Sequence, residues 1–161
     1  MRRVSTLRRK REGGNTILEF AISFCLIFWT FSGLTQFGYS FYAYDLLMNS
    51  VRNGARYASN YPYSSTTLTP DTTFSNNVKN MVVYGTPSPA NGASAILTGL
   101  KTSNVNVTVS GSGSCGTLCA PSTVTVSITG FTLDVVFSTL TLDGRPTTTF
   151  PYTGILTPPA S

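Results

Sequence analysis

A run of 25 residues without a charged side chain, from Phe20 to Tyr44, constrains this chain more than any other feature of its sequence. As an α-helix the run would reach roughly 38 Å, whereas the hydrocarbon core of a membrane is about 30 Å thick. Its most apolar part extends from Ile17 to Leu34. From Phe37 onwards aromatic and polar residues are mixed, as is typical of the headgroup level of a membrane. The sequence therefore predicts a transmembrane helix that extends outward beyond the lipid.

Positive charge is concentrated before this run. Six of the 11 Lys and Arg residues precede Gly14, where only Glu12 opposes them, and the remainder of the chain carries five residues of each sign. The positive-inside rule then predicts a cytoplasmic N-terminus and a C-terminus outside the cytoplasm. The balanced remainder gives no support to a nucleic-acid partner, and the basic arm beside a span favours a topology signal. A cleaved secretory signal is the alternative to an anchor, but residues 33–45 offer no Ala-x-Ala site.

The helical pattern continues past the predicted span. Small and apolar residues recur at steps of three and four through Gly54 and Ala58, and Pro62 ends the pattern because proline disfavours helix before it. One helix from about Thr16 to Ser59 is predicted. The predicted divisions of the chain are a basic leader at 1–14, a transmembrane and amphipathic helix at 15–60, and a periplasmic β-rich domain at 61–161.

The C-terminal part is predicted to hold one short helix and an antiparallel sheet. Asp71 can cap a helix that ends at Gly85 and packs through an apolar side that includes Met81 and Val82. The fold class is therefore predicted as α+β, with a long N-terminal helix followed by a small antiparallel β-rich domain. Period-two alternation predicts a hairpin from strands at 104–110 and 124–129, one or two strands within 132–142, and a returning edge strand within 147–155.

Several kinds of catalytic chemistry lack their residues in this sequence. The chain has no histidine, so Ser-His-Asp and Cys-His nucleophiles and histidine metal ligands are excluded. No phosphate-binding loop or dinucleotide fingerprint occurs, and the carboxylates of the C-terminal part are scattered. Neither enzymatic activity nor a cofactor is therefore expected.

The three cysteines fall into two groups. Cys25 lies in the predicted span and is interpreted as a small apolar filler. Cys115 and Cys119 lie in a Gly/Ser-rich loop outside the cytoplasm, where an oxidising compartment favours a disulfide over free thiols. A metal site is not expected, because no histidine or second cysteine pair completes a set of four ligands.

One carboxylate, Glu19, lies near the start of the predicted span, five residues after Gly14. A charged group in such a segment costs on the order of 2.5–3.5 kcal/mol or more unless it finds a partner. Glu19 is therefore a functional candidate. The alternative is a glutamate at the cytoplasmic headgroup level, where no partner is needed.

The segment from Gly14 to Phe20 resembles the cleavage junction of type IV pilin-like proteins, in which a prepilin peptidase cuts after glycine and glutamate stands fifth in the mature chain. Over residues 8–59 the chain resembles more closely the TadE-like minor pseudopilins of the tight-adherence (Tad) pilus. Ser23-Phe24-Cys25 and Gln36 depart from that pattern, in which a proline and an acidic residue are usual, so a TadF- or TadG-like branch stays open. The matching motifs are Glu19-Phe20-Ala21, Gln36-Phe37-Gly38 and Val51-Arg52-Asn53-Gly54-Ala55-Arg56-Tyr57-Ala58.

The resemblance implies a minor pilin-like subunit that takes part in Tad pilus assembly. It implies cleavage between Gly14 and Asn15, and a role for Glu19 and Phe20 in the assembly of subunits. It implies that the glutamate meets the amine of a neighbouring subunit. The implied partners are the prepilin peptidase, other pilin or pseudopilin subunits, platform proteins of the assembly machinery, and membrane lipid. The implied location is a bacterial inner membrane, crossed once, with a periplasmic C-terminal domain; entry into a surface pilus is left open.

Two other functions are kept beside this one. The first is an uncleaved single-pass protein whose periplasmic β-rich module binds an envelope partner. The second is a minor pilin that exposes the loop between Cys115 and Cys119 as an adhesive tip.

Overall fold

The computed structural model describes residues 13–111, 119, 121–135 and 138–155. A long N-terminal helix is followed by a small antiparallel domain, so the predicted α+β class is confirmed. The elements are α1 (Gly13–Asn60), α2 (Thr72–Tyr84), a 3-10 turn (Thr102–Asn104), β1 (Val105–Ser110), β2 (Thr123–Ile128), β3 (Phe131–Val135), β4 (Ser138–Leu142) and β5 (Thr147–Pro151).

Helix α1 contributes to two compact units, with the boundary between Gly38 and Tyr39. In the first unit the large apolar side chains are exposed, as illustrated by Trp29 with 81% of its surface accessible. The most apolar window of this helix has a mean hydropathy of 1.8, and none of it is buried. Within the described residues, α1 is the one helix long and apolar enough to cross a membrane. The prediction of such a helix near the N-terminus is therefore confirmed.

In the second unit, helix α1 packs against α2 through small residues. Ala55 and Ala58 are fully buried, and Gly54 lies so close to α2 that a Cβ atom there would overlap the Val82 side chain. The same Cβ position lies 3.7 Å from the Val78 carbonyl oxygen. Because protein interiors are close-packed, this contact admits no side chain at Gly54 unless the Val82 side chain or one of the two helices shifts.

Both ends of α2 are capped as the sequence predicts. Asp71 Oδ1 accepts a hydrogen bond of 2.6 Å from the Phe74 amide, and Gly85 is left-handed with its N–H donating to the Met81 carbonyl. One packing detail differs from the prediction, since Val83 is buried and Met81 is half-buried. The chain after Gly85 turns back along this side of α2, where the Ile96 amide donates to the Val83 carbonyl over 2.8 Å.

The sheet is built around β2. Strand β1 pairs antiparallel with β2 in a register that joins Val107 to Val126, and β5 pairs antiparallel on the other side of β2. The inward residues of β2 are fully buried, which is the outcome that the period-two alternation predicts. Strands β3 and β4 form a separate two-stranded sheet. The returning strand within 147–155 is therefore confirmed as an edge strand of the main sheet.

The chain after β5 returns to the end of α1. The Thr153 amide donates to the Ser59 carbonyl over 2.9 Å, and the Tyr152 hydroxyl donates to the Tyr61 carbonyl over 2.9 Å. The Tyr152 ring also meets the buried ring of Tyr63, with centroids 6.2 Å apart. These contacts fix the C-terminal strand and the first linker to the same end of helix α1.

We predict that Gly54→Ala destabilises the domain by about 1–3 kcal/mol, because the new methyl group must displace Val82 or α2. Gly33→Ala is the matched control, since a Cβ atom there meets nothing within 4 Å. Pulse proteolysis of the detergent-solubilised protein across a urea gradient measures both changes. Equal urea midpoints for Gly54→Ala and the wild type would show that the helices are not in tight contact.

A second prediction concerns alkaline pH. Burial raises the pKa of the Tyr63 and Tyr152 hydroxyls above the ordinary value of 10.0. The folded chain thus keeps these protons to higher pH than the unfolded chain, so their contribution to stability is complete below pH 10 and falls as pH rises through the folded-state pKa. Tyr152→Phe should cost about 1 kcal/mol at neutral pH through the lost hydrogen bond to Tyr61, and should lose stability less steeply above about pH 10. Urea midpoints on both sides of that pH measure the difference, and parallel pH profiles would contradict it.

Candidate functional site

The start of helix α1 carries the predicted processing junction. The helix begins at Gly13, three residues before the predicted start at about Thr16. Nothing in Gly13-Gly14-Asn15 forbids a helix, although glycine costs about 1 kcal/mol relative to alanine in a helix interior. The Gly14–Asn15 peptide bond lies in the first turn of α1.

Glu19 and Phe20 lie one to two turns into α1 on neighbouring faces. Both side chains are exposed, Phe20 with 70% of its surface accessible. The Phe20 ring begins a ridge in which the Phe20–Phe24 and Phe24–Phe28 centroids are 6.2 Å and 6.3 Å apart. This spacing is that of residues four apart on one helix face.

The Glu19 carboxylate makes no ion pair or hydrogen bond in the part of the chain that the structure describes. Another polar group of the same helix is satisfied locally, since the Thr30 hydroxyl donates to the Leu26 carbonyl over 2.8 Å. A hydroxyl can use the backbone of its own helix, whereas an ionised carboxylate in hydrocarbon requires a cation or several donors. Glu19 is the one charged side chain among the described residues of the first unit, and no partner for it lies among the described residues.

The Arg-Asn-Gly-Ala-Arg-Tyr-Ala motif, residues 52–58, divides into two groups in the structure. Its small residues Gly54, Ala55 and Ala58 are buried in the core, Gly54 against α2, and are explained by packing. Arg52 and Arg56 are exposed, and neither guanidinium group makes an ion pair or hydrogen bond within the described residues. The motif is recognisable in the sequence, but no role for its two arginines was predicted from it.

Two of the three cysteines, Cys25 and Cys119, lie within the described residues. Cys25 has a free thiol and is exposed on the first unit. Cys119 is buried, with 1% of its surface accessible, and its amide donates to the Ser65 carbonyl over 3.3 Å. Cys115 lies outside the described residues, so the Cys115–Cys119 disulfide stays a prediction.

Two surface grooves of the second unit are large enough for a ligand. One, of about 520 Å³, includes Tyr39, Lys101 and Phe131 in its lining. The other, of about 450 Å³, includes Arg56, Tyr57 and Tyr61. Each of these two grooves has one charged residue in its lining, a cation, and no carboxylate. Among the described residues, no three His, Cys, Asp or Glu side chains come together as a metal site would need.

No protein-family model, curated protein or solved structure matches the chain. The described residues form one apolar helix long enough to span a membrane and a small α+β domain.

Proposed function

We propose that this chain is a minor pilin-like subunit of the Tad type, made with a basic leader that a prepilin peptidase removes after Gly14. The observation that carries the proposal is an exposed apolar helix with Glu19, which has no partner among the described residues, five residues past Gly14. Its partners would be the prepilin peptidase, other pilin or pseudopilin subunits, assembly-platform proteins and lipid. Its location would be the bacterial inner membrane, with the domain in the periplasm. The proposed role is binding and assembly, without enzymatic activity.

Removal of the leader would change both the charge of the N-terminus and the position of its α-amine. It would take away all six basic residues that precede Gly14, so that no cationic side chain opposes movement of the subunit out of the bilayer. It would also create a new α-amine at Asn15, one helical turn before Glu19. In a neighbouring subunit this amine would neutralise the carboxylate, and two charges that are costly alone would become one pair.

An uncleaved anchor with a periplasmic interaction module is the second candidate. The domain supports it by itself, since it has its own buried core and two open grooves. The N-terminal residue of the mature protein distinguishes the two candidates.

We predict cleavage between Gly14 and Asn15. Co-expression with a prepilin peptidase should yield a protein that starts at Asn15, as read by N-terminal sequencing or intact mass. Gly14→Val should retain the leader, because a branched side chain at the cleaved bond stiffens it and enlarges it. A mature wild-type protein that still starts at Met1 in the cell that encodes it would eliminate the cleaved subunit and leave the uncleaved anchor.

We predict that Glu19→Gln leaves membrane insertion and cleavage intact and lowers co-isolation of neighbouring subunits at least about tenfold, the effect of losing one charge-assisted partner in an apolar setting. Asp45→Asn is the matched control on the same helix, because Asp45 is exposed and already accepts a hydrogen bond from Asn49. Quantitative mass spectrometry of subunits purified with each variant gives the comparison. Unchanged co-isolation for Glu19→Gln would favour a glutamate at the headgroup level.

We predict that Cys115 and Cys119 form a disulfide outside the cytoplasm. A loop this short should contribute only about 2 kcal/mol, so Cys115→Ser with Cys119→Ser should leave insertion and cleavage unchanged while proteolysis near the loop increases. Alkylation of protein from cells without reductant is the direct assay. The bond predicts that Cys25 alone is labelled under denaturing conditions, and labelling of all three cysteines would disprove it.

A further inference from the structure

The groove that contains Arg56 has a preorganised wall. We call it the Arg56 groove; its lining includes Asn53, Arg56, Tyr57, Asn60, Tyr61 and Met81. The Tyr57 and Tyr61 rings lie against each other with centroids 5.2 Å apart, and the Tyr61 hydroxyl accepts a hydrogen bond of 2.8 Å from Asn77 on helix α2. The Tyr61 ring also meets the edge of the buried Phe74 ring, at 5.9 Å. These contacts hold the aromatic wall in place before any partner arrives.

The charge around this groove is positive and uncompensated within the described residues. Arg52 lies one turn before Arg56 on the same exposed side of α1, and helix α2 adds Lys79 and no acidic residue. The carboxylate of Asp71 is occupied, since it accepts hydrogen bonds from the Phe74 amide and the Ser64 hydroxyl. Asp45 accepts from Asn49 on its own helix. The arginines are therefore left available to an external anion.

We propose that the Arg56 groove binds an acidic segment of a partner protein, with a carboxylate on the Arg56 guanidinium and a neighbouring apolar side chain on the Tyr57 and Tyr61 rings. Arginine presents a planar fork that matches a carboxylate, and Arg, Tyr and Met are the residues enriched at the centres of protein interfaces. A wall of two tyrosines and a methionine around one cation suits a peptide better than a nucleic acid, which needs many cations. The proposal goes beyond the pilin-like function and holds whether or not the leader is cleaved.

Site-specific photocrosslinking of the full-length protein in the cells that encode it tests this directly. A benzophenone amino acid replaces Asn53, which is exposed and whose side chain makes no hydrogen bond within the described residues. A second probe replaces Met81, so that one substitution alone cannot account for a negative result. Mass spectrometry should find the probe joined to a protein segment with an Asp or Glu within a few residues of the link.

Charge variants then test the role of Arg56. Arg56→Glu should lower the yield of the crosslink at least about tenfold, because it opposes two like charges at the proposed contact, and Arg56→Lys should retain part of it. Arg145→Glu makes the same substitution at an exposed site outside both grooves and should leave the yield unchanged. A crosslink to lipid or nucleic acid, a linked segment without carboxylates, no crosslink from either probe, or equal yields for Arg56→Glu and Arg145→Glu would each overturn the proposal.

Discussion

Helix α1 carries two kinds of apolar surface, and the rest of the chain depends on what covers each of them. Up to Gly38 the helix presents large side chains, and those of the ridge from Phe20 to Phe28 are exposed. At about 25 cal/mol per Å² of apolar surface, such a ridge needs lipid or other helices around it. From Ala43 onwards the helix buries small and aliphatic residues under its own domain, Leu47, Val51 and Ala55 among them. The close approach at Gly54 lets α2 lie directly on α1, and Asp71 and Gly85 set where α2 begins and ends.

Three charged groups of helix α1 make no ion pair or side-chain hydrogen bond within the described residues. Glu19 belongs to the part of α1 whose large side chains are exposed, and Arg52 and Arg56 lie on the exposed face of the part that packs against α2. Charged groups that a chain leaves unsatisfied at defined positions on a rigid helix are suited to recognition, since their geometry is fixed before binding. The proposed functions assign a partner to two of these three charges: an amine to Glu19 and a carboxylate to Arg56.

Local features of the fold could be predicted from the sequence. The caps of α2 follow from Asp71 and Gly85, and the hairpin of β1 and β2 follows from residues that alternate with period two. Burial of Val83 in place of Met81 could not be predicted, because it results from the return of the chain to pair Ile96 with Val83. The Arg56 groove also depends on contacts between distant residues, such as Asn77 with Tyr61. For the arginines a signal was present, since both lie on an exposed helix face where no acid stands three or four residues away.

Zero-length crosslinking with a carbodiimide tests most directly whether Glu19 meets an N-terminal amine. The reagent joins a carboxylate directly to an amine and adds no spacer, so the two groups must come into contact. Subunits labelled with heavy and light isotopes, mixed within one membrane, show whether the link joins different chains. We predict an amide between Glu19 of one chain and the α-amine of Asn15 of another, seen as a link between a heavy and a light peptide. A Glu19 carboxylate that stays unlinked in assembled membranes, or a link confined to single chains, would contradict it.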